Sequence, residues 1–347
     1  MHLDVINSKA IPKYRTIYEY YKHGIRSFLF KPGQRIDSIT EIQKRFKVSR
    51  ETAKQVLGML CDDGLIVKAV GKGSFVADIN AKKSHWAVIM PFISAQTEHL
   101  LYQLQQQALT LGHQLSYYLS YNSATEEVNL VGKAIHEGFQ AVVVVPVYNE
   151  AENAEFYSKL NSGFTKVILA NHTMTGAYGQ YVVQSYDLGV RRGTRYLMQQ
   201  TNRDVLFIHD DTFPDKNMVS ELMEETFLSS VNPKQKEQKF KVIESVRKLS
   251  KAFLIKNNIG GVFCPTDNIA IKVLGRAKEW GLNIPDDLSL VSYGDTELAK
   301  YFTPTITSVS GHQEQMANLI TQLILDKDKD TSQYQYVIEP SLIIRET

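Results

Sequence analysis

Apolar residues recur every three to four positions through residues 12–28, where Ile17, Tyr21, Ile25 and Phe28 share one face, and the spacing predicts a helix. Lys31-Pro32-Gly33 breaks it. Ser38-Ile39-Thr40-Glu41 has the form of a capping box and opens a short helix with Ile39, Ile42 and Phe46 inward. Lys47-Val48 makes a tight turn. Ser49 then caps a helix to about residue 62, with Val56, Leu57 and Leu60 buried and Gly64 in the left-handed position past its end. Residues 65–69 and 74–77 read as a hairpin, with Gly71 and Gly73 allowing positive φ at its tip. From residue 85 the pattern changes. Strand-like runs at 86–90, 114–119, 141–145, 167–170, 205–208, 261–264 and 288–293 alternate with helical stretches at 98–111, 187–200, 242–256 and 268–280. Ala141-Val142-Val143-Val144-Val145 has no polar face, as a strand covered on both sides requires. Such alternation predicts a doubly wound α/β body, in which ligands sit beyond the carboxyl ends of the strands.

Two short helices joined by a tight turn and followed by a hairpin form a winged helix-turn-helix, which lays its second helix in the major groove of DNA. The residues opening that helix are Arg50, Glu51, Thr52, Lys54 and Gln55. Arginine pairs bidentately with guanine and glutamine with adenine, while Thr52 and Lys54 suit phosphates. Lys72, between Gly71 and Gly73, can approach the sugar-phosphate backbone or a minor groove. Ser38, Thr40, Ser49 and Lys68 complete the expected DNA-facing set. On periodicity alone, a small helical domain with a solvated basic face stays equally open. Charge favours the DNA reading: residues 1–83 carry 16 Lys or Arg against 8 Asp or Glu, and the remainder 23 against 29. A basic module on an acidic body turns only its N-terminal part toward a polyanion.

With 347 residues, 43% of them hydrophobic and 22% charged, the chain suits two or three globular domains. Cys61 and Cys264 lie in apolar stretches of different domains and read as buried free thiols of a reducing cytosol, with no zinc spacing nearby. Asp4, Lys9, Lys13 and Arg15 interrupt the first 20 residues, so no signal peptide is expected. No apolar run approaches the roughly 18 residues that span a bilayer, and a soluble cytoplasmic protein is expected. Asp210-Asp211-Thr212 at a strand end lacks an accompanying base, metal-ligand set or phosphate loop. The expectation is therefore no catalysis, no cofactor and no metal.

Lys31-Pro32-Gly33-Gln34-Arg35-Ile36, Val48-Ser49-Arg50-Glu51-Thr52, Asp63-Gly64-Leu65-Ile66 and Gly71-Lys72-Gly73-Ser74-Phe75-Val76 stand in the order and spacing of GntR-family regulators, which the segment at about 11–77 resembles. The resemblance implies that Arg50, Thr52, Lys54 and the wing touch DNA. Two positions depart from it: Ser38-Ile39-Thr40-Glu41 lacks the family's usual arginine, and Lys54 stands where arginine is common. Pro265-Thr266-Asp267-Asn268-Ile269-Ala270, Gly281-Leu282-Asn283-Ile284-Pro285-Asp286-Asp287-Leu288, Tyr293-Gly294-Asp295-Thr296 and Pro304-Thr305-Ile306-Thr307-Ser308-Val309 resemble the effector domain of LacI/GalR-type repressors. That second resemblance is strong over about 262–310 and weaker over 85–210.

It implies the periplasmic-binding-protein fold: two lobes, a ligand in the cleft, and dimerisation through the body. Crossovers are expected near 185–188, 307–310 and 327–330. The fold class is thus α/β, a winged helix-turn-helix domain plus a two-lobed doubly wound domain. The expected limits are 1–79 for the head, 80–84 for a linker and 85–347 for the effector and dimerisation domain. Lobe 1 would take about 85–186 and 309–328, and lobe 2 about 187–308 and 329–347. Phe92, Ser94, Tyr148, Asn171, His172, Tyr186, Asp187, Asp211, Thr266, Asp267 and Asp295 should line the cleft. Carboxylates, amides and an aromatic face suit a sugar. Asp267 equally suits the N-cap of a helix from Asn268, His172 a loop histidine, and Asp187 a brace for the crossover. Residues 216–230 lack the arginine with which relatives clamp sugar hydroxyls, Gly294 replaces a usual aspartate, and Thr266 a common asparagine. The expectation is a homodimeric regulator of operator DNA, a repressor controlled by a small-molecule effector such as a monosaccharide. The alternative is a sugar-binding receptor module without DNA regulation.

Overall fold

Residues 12–77 enclose a core of their own. In the computed structural model, which describes residues 12–26, 29–31, 33–69, 73–77, 84–148, 153–160, 162, 165–174, 179–210, 218–230, 239–326 and 334–347, this part holds α1 (Lys13–Arg26), α2 (Ile39–Phe46), α3 (Arg50–Asp62), β1 (Ile66–Ala69) and β2 (Gly73–Val76). Ile17, Tyr21 and Ile25 of α1 pack on Ile42, Phe46, Val56, Leu57 and Leu60. Phe28 lies outside the described residues. The capping box at α2 is complete, with Ser38 Oγ accepting from Glu41 N at 3.3 Å and the Glu41 carboxylate from Ser38 N at 2.6 Å. Lys47, at φ 51, turns the chain into α3, and Gly64, at φ 66, ends it. β1 and β2 pair antiparallel from Ile66–Val76 to Ala69–Gly73.

The body begins with β3 (His85–Met90), α4 (Ala95–Thr110), β4 (Gln114–Leu119), α5 (Ala124–His136), β5 (Ala141–Val144), α6 (Ala154–Lys159), β6 (Lys166–Asn171) and β7 (Gln180–Gln184). It crosses through α7 (Tyr186–Gln200) to β8 (Asp204–Ile208), α8 (Met218–Ser229), β9 (Phe240–Ile243), α9 (Lys251–Lys256), β10 (Ile259–Cys264), α10 (Asp267–Glu279), β11 (Ser289–Tyr293), α11 (Glu297–Tyr301) and β12 (Ser308–Ser310). α12 (Gln313–Leu325), β13 (Gln335–Ile338) and β14 (Ser341–Ile343) follow. Two six-stranded sheets result, in the orders β13-β7-β6-β5-β3-β4 and β14-β12-β11-β10-β8-β9. Every pair is parallel except β12 with β14. β5 is buried along its whole length, as its unbroken apolar run requires.

The chain passes between the lobes at residue 185, at 311–312 and at 339–340. The third passage was expected at 327–330. It lies later because β13 pairs in parallel with β7, from Gln335–Tyr181 to Ile338–Gln184, so residues 335–338 belong to the first lobe. The helix expected over 242–256 is also corrected. Val242 belongs to β9, paired with Phe207 of β8, and Ser245 and Ser250 cap a 3-10 turn and a six-residue helix in succession. Cys264 is buried in β10, whereas Cys61, expected to be buried, is half-exposed on α3; both are free thiols. No helix among the described residues is long and apolar enough to cross a membrane.

α7 approaches the second sheet through glycines. A Cβ on Gly189 would stand 2.7 Å from the Tyr293 ring, and one on Gly193 would stand 2.6 Å from the Phe263 ring. Overpacking a tight contact costs about 1–3 kcal/mol, so Gly193→Ala should lower stability by that amount in urea unfolding. Gly132→Ala, on the exposed face of α5 where a Cβ meets nothing within 4 Å, should raise it by up to about 1 kcal/mol.

Candidate functional site

α3 has one face in the head's core, through Ala53, Val56, Leu57 and Leu60, and turns Arg50, Glu51, Lys54 and Gln55 to solvent. Arg50 with Lys54, and Glu51 with Gln55, are each four residues apart and so stand one turn above another. Ser49 Oγ accepts from Thr52 N at 3.2 Å and lies 2.9 Å from Thr52 Oγ1, so these two hydroxyls serve the helix start. Ser38 is held by its capping box, while Thr40 is exposed on α2. Lys68 and Gly73 are exposed on the hairpin; Gly71 and Lys72 lie outside the described residues. A Cβ on Gly73 would meet Arg35 Nε at 3.3 Å, so a second arginine, itself 3.3 Å from Glu41, flanks the wing.

The second site lies where the carboxyl ends of the two sheets meet. Phe92 follows β3, Tyr148 follows β5 and His172 follows β6. Their rings stack, with centroids 5.6 Å apart for Phe92–Tyr148 and 4.8 Å for Tyr148–His172. Tyr148 also packs against the second-lobe cluster containing Tyr186 and Tyr293. Its backbone N–H donates to Asn122 Oδ1 at 2.9 Å, and that of Val147 to Glu127 at 2.7 Å. Glu127 is fully buried and accepts further from Asn153 and the Tyr157 hydroxyl, each at 2.8 Å. Burial raises its carboxyl above the ordinary value, against the pull of these donors. Glu127 is not among the expected site residues, although a glutamate sharing a helix stripe with Ala124, Val131 and Ala134 is a visible signal.

His172 is buried, and its ring nitrogens meet only weak contacts, to the backbone of Pro146 and Val147. Burial pulls its pKa down to about 4, against a smaller opposite pull from the backbone of Pro146 and Val147. The ring is therefore neutral near pH 7, with one nitrogen able to donate and one to accept. Beside it, Asn171, at φ 70, accepts from Gln184 Nε2 at 2.6 Å. The same Nε2 lies 3.0 Å from the Tyr186 hydroxyl, and Tyr293 donates to Gln184 Oε1 at 3.0 Å. Tyr186 stacks on Tyr293 at 5.3 Å, and burial holds its hydroxyl well above the usual tyrosine range. Gln184 escaped the sequence reading because nothing in Tyr181-Val182-Val183-Gln184 marks its last residue as buried.

In the second lobe Asp267 is 2% exposed, and its carboxylate accepts from Ser292 Oγ, from Ser308 Oγ at 2.9 Å, and from Thr296 N and Oγ1 at 2.8 and 2.7 Å. It ties the ends of β10, β11 and β12. It is not the N-cap: α10 begins at Asp267 itself, and Thr266 caps it by accepting from Ile269 N while donating to Asp210 at 3.1 Å. Asp295 pairs with Arg345 at 2.5 Å. Asp187 is exposed and accepts from Ser185 at 2.5 Å, at the first crossover. Ser94 caps α4 with Thr97. Asp211 lies outside the described residues. Gly294 sits at φ 139, and a Cβ there would stand 3.1 Å from Asp267 Oδ2 and 3.5 Å from Gln96 Nε2, which leaves no comfortable place for an aspartate. His209 pairs with Glu224 at 2.6 Å where an arginine clamp was looked for. The structure thus brings Phe92, Tyr148, Asn171, His172 and Tyr186 together, and engages Ser94, Asp187, Asp267 and Asp295 in local contacts.

The buried neutral imidazole gives a pH signature. The folded state disfavours protonated His172, so the unfolded chain binds more protons between pH 6.5 and about 4. The contribution is full above pH 6.5 and is lost as pH falls toward 4. His172→Phe keeps a ring against Tyr148 and removes the titration. In urea unfolding it should lose about 2 kcal/mol less than the wild type between pH 7 and pH 5.

Residues 13–76 match the family model of bacterial regulatory proteins of the gntR family, and residues 194–347 that of the periplasmic binding protein-like domain. The arabinose metabolism transcriptional repressor of Halalkalibacterium halodurans is 23% identical, the alignment covering 96% of each chain. That of Geobacillus stearothermophilus is also 23% identical, over 98% of each. The PurR repressor of Vibrio vulnificus is 32% identical over 88 residues, 25% of this chain and 26% of its own. Among solved structures, a periplasmic binding protein/LacI transcriptional regulator from Alkaliphilus metalliredigens, complexed with D-xylulofuranose, superposes with a TM-score of 0.59 at 18% identity, covering 76% of this chain and 98% of that one. The transcriptional regulator CelR in complex with cellobiose gives 0.58 at 16%, covering 86% and 91%. These superpositions show the fold that the chain shares with LacI-family regulators.

Proposed function

We propose that the chain, which joins a segment matching the gntR-family model to one matching the periplasmic binding protein-like domain, is a transcriptional repressor of the cytosol released or recruited by a monosaccharide. The observation that carries the reading is the outward face of α3, where Arg50, Glu51, Lys54 and Gln55 stand clear of the core on a helix suited to the major groove. In this reading residues 1–79 are the DNA-binding head, 80–84 the linker and 85–347 the effector body. The body dimerises, and the two heads read an inverted repeat whose half-sites lie about 34–36 Å apart.

The effector is a neutral pentose of the arabinose class. Supporting this are the neutral, buried His172, the Asn171 carboxamide and the aromatic stack around Tyr148. The names of two relatives aligned along nearly their whole length point the same way. Such a ligand acts only through its differential affinity for two arrangements of the lobes.

Selection from random duplex DNA at fixed salt tests the reading. The wild type should enrich an inverted repeat. Arg50→Ala should weaken binding to it by about 5- to 150-fold, the range of one bidentate base contact. Lys54→Ala should weaken all sequences alike and reduce the salt slope by about one. L-arabinose should shift the affinity of the wild type for the selected site. Unchanged binding by Arg50→Ala would overturn the assignment of α3, and tight sugar binding without any DNA binding would make the protein a receptor module instead.

A further inference from the structure

We propose that Gln184 is the joint through which a ligand in the cleft sets the angle between the lobes, a positioning residue bonded at once to Asn171 on the first lobe and to Tyr186 and Tyr293 on the second. The inference rests on the effector reading above. Gln184 ends β7, immediately before the first crossover, and is 5% exposed. A carboxamide has two donor hydrogens and an acceptor oxygen. Here Nε2 serves Asn171 and the Tyr186 hydroxyl, and Oε1 serves the Tyr293 hydroxyl. One side chain therefore spans the end of β6, the start of α7 and the end of β11.

The second crossover is fitted to the same group. Gly311 packs so closely that any Cβ there would overlap Gln184 Oε1. The third crossover is tied to the others separately. His312 Nε2 lies 2.9 Å from Ser341 Oγ, and Arg192 of α7 donates to the Pro340 carbonyl and the Glu339 carboxylate. Of these ties, Gln184 is the one that reaches the residues around the aromatic stack. Asn171 stands next to His172, whose ring stacks on Tyr148. A ligand that moves Asn171 must either break a buried amide bond, leaving unpaired polar groups, or carry Tyr186 and Tyr293 along. The second course turns a local contact into a rotation of one lobe on the other.

Two measurements on the full chain decide the matter. The first needs no ligand. Thermal unfolding is compared for the wild type, Gly311→Ala, Gln184→Ala and the double variant. Gly311→Ala should lower Tm by about 5 °C or more with Gln184 present, and by less than about half as much once Gln184→Ala has vacated the space. An equal penalty in both backgrounds would overturn the joint. The second reads the coupling. Gln184→Met keeps the volume and loses the amide; Gln184→Glu, which keeps the acceptors, serves if the first does not fold. L-arabinose affinity is measured by calorimetry, and affinity for the selected duplex with and without saturating L-arabinose. The expected result is sugar-free DNA binding within about twofold of the wild type, with the factor by which sugar changes it reduced about tenfold or to unity. A purely structural role would leave that factor intact in a folded variant, and an intact factor would overturn the proposal. A wild type indifferent to L-arabinose, D-xylose, D-ribose and D-xylulose would sink the effector reading and the signalling role with it. The stability cycle would still report separately on the geometry of the joint.

Discussion

Two six-stranded sheets share one chain, and neither is complete until residues 335–343 reach it: β13 closes the edge of the first beside β7, and β14 that of the second beside β12. The lobes therefore cannot be built one after the other. Three stretches of connecting backbone run between them, and beside these Gln184, Asn171, Tyr186 and Tyr293 lie out of water. A buried polar group is tolerated when it is bonded, and costly when it is not. Gln184, Asn171, Tyr186 and Tyr293 meet that demand from one another. The junction is thus a bonded unit, and a change in one member is felt by the rest.

The same demand explains how the second lobe departs from a sugar clamp. Asp267 gathers four donors from two neighbouring strands and the turn after β11. That carboxylate occupies the ground beside residue 294, where only a glycine at φ 139 fits without crowding it. Thr266, standing where asparagine is common, spends its hydroxyl on Asp210 and on the start of α10. His209 and Glu224 answer each other. These polar groups of the second lobe are bonded within it. On the first lobe the buried neutral ring of His172 lies against Tyr148, with backbone neighbours at its nitrogens.

Much of this was legible in the sequence, for identifiable reasons. The capping boxes and turns of the head are local devices, so Ser38, Glu41, Ser49 and Gly64 announce their roles within a few residues. Central strands such as β5 are covered on both faces and read as unbroken apolar runs. Edge strands are the opposite case. β13 has three exposed residues of four, and β9 alternates weakly, so neither stands out from its neighbours. Hence the third crossover was placed too early and β9 was merged into a helix. At the cleft, residue type marked Tyr148, Asn171 and His172. Whether Asp267 faced a ligand or a ring of hydroxyls depended on Ser292, Thr296 and Ser308, which are brought to it by folding and share no spacing with it.

The two halves act by different physics, and that limits how they can communicate. In the proposed function the face of α3 works by exposed charge, with ions of the solvent competing for the same phosphates. The cleft works by buried neutral groups: His172 is uncharged near pH 7, and the tyrosines around it are held protonated by burial. A neutral ligand entering such a cleft brings no field of its own, and any field would fade over about 8 Å of physiological salt. Electrostatics cannot carry a signal from one half to the other. What remains is shape. The lobes are joined by three crossovers, the Gln184 carboxamide and the packing of Tyr148 on the second lobe, and on the proposal above their angle is the variable that a ligand can reach and a DNA-binding head can follow.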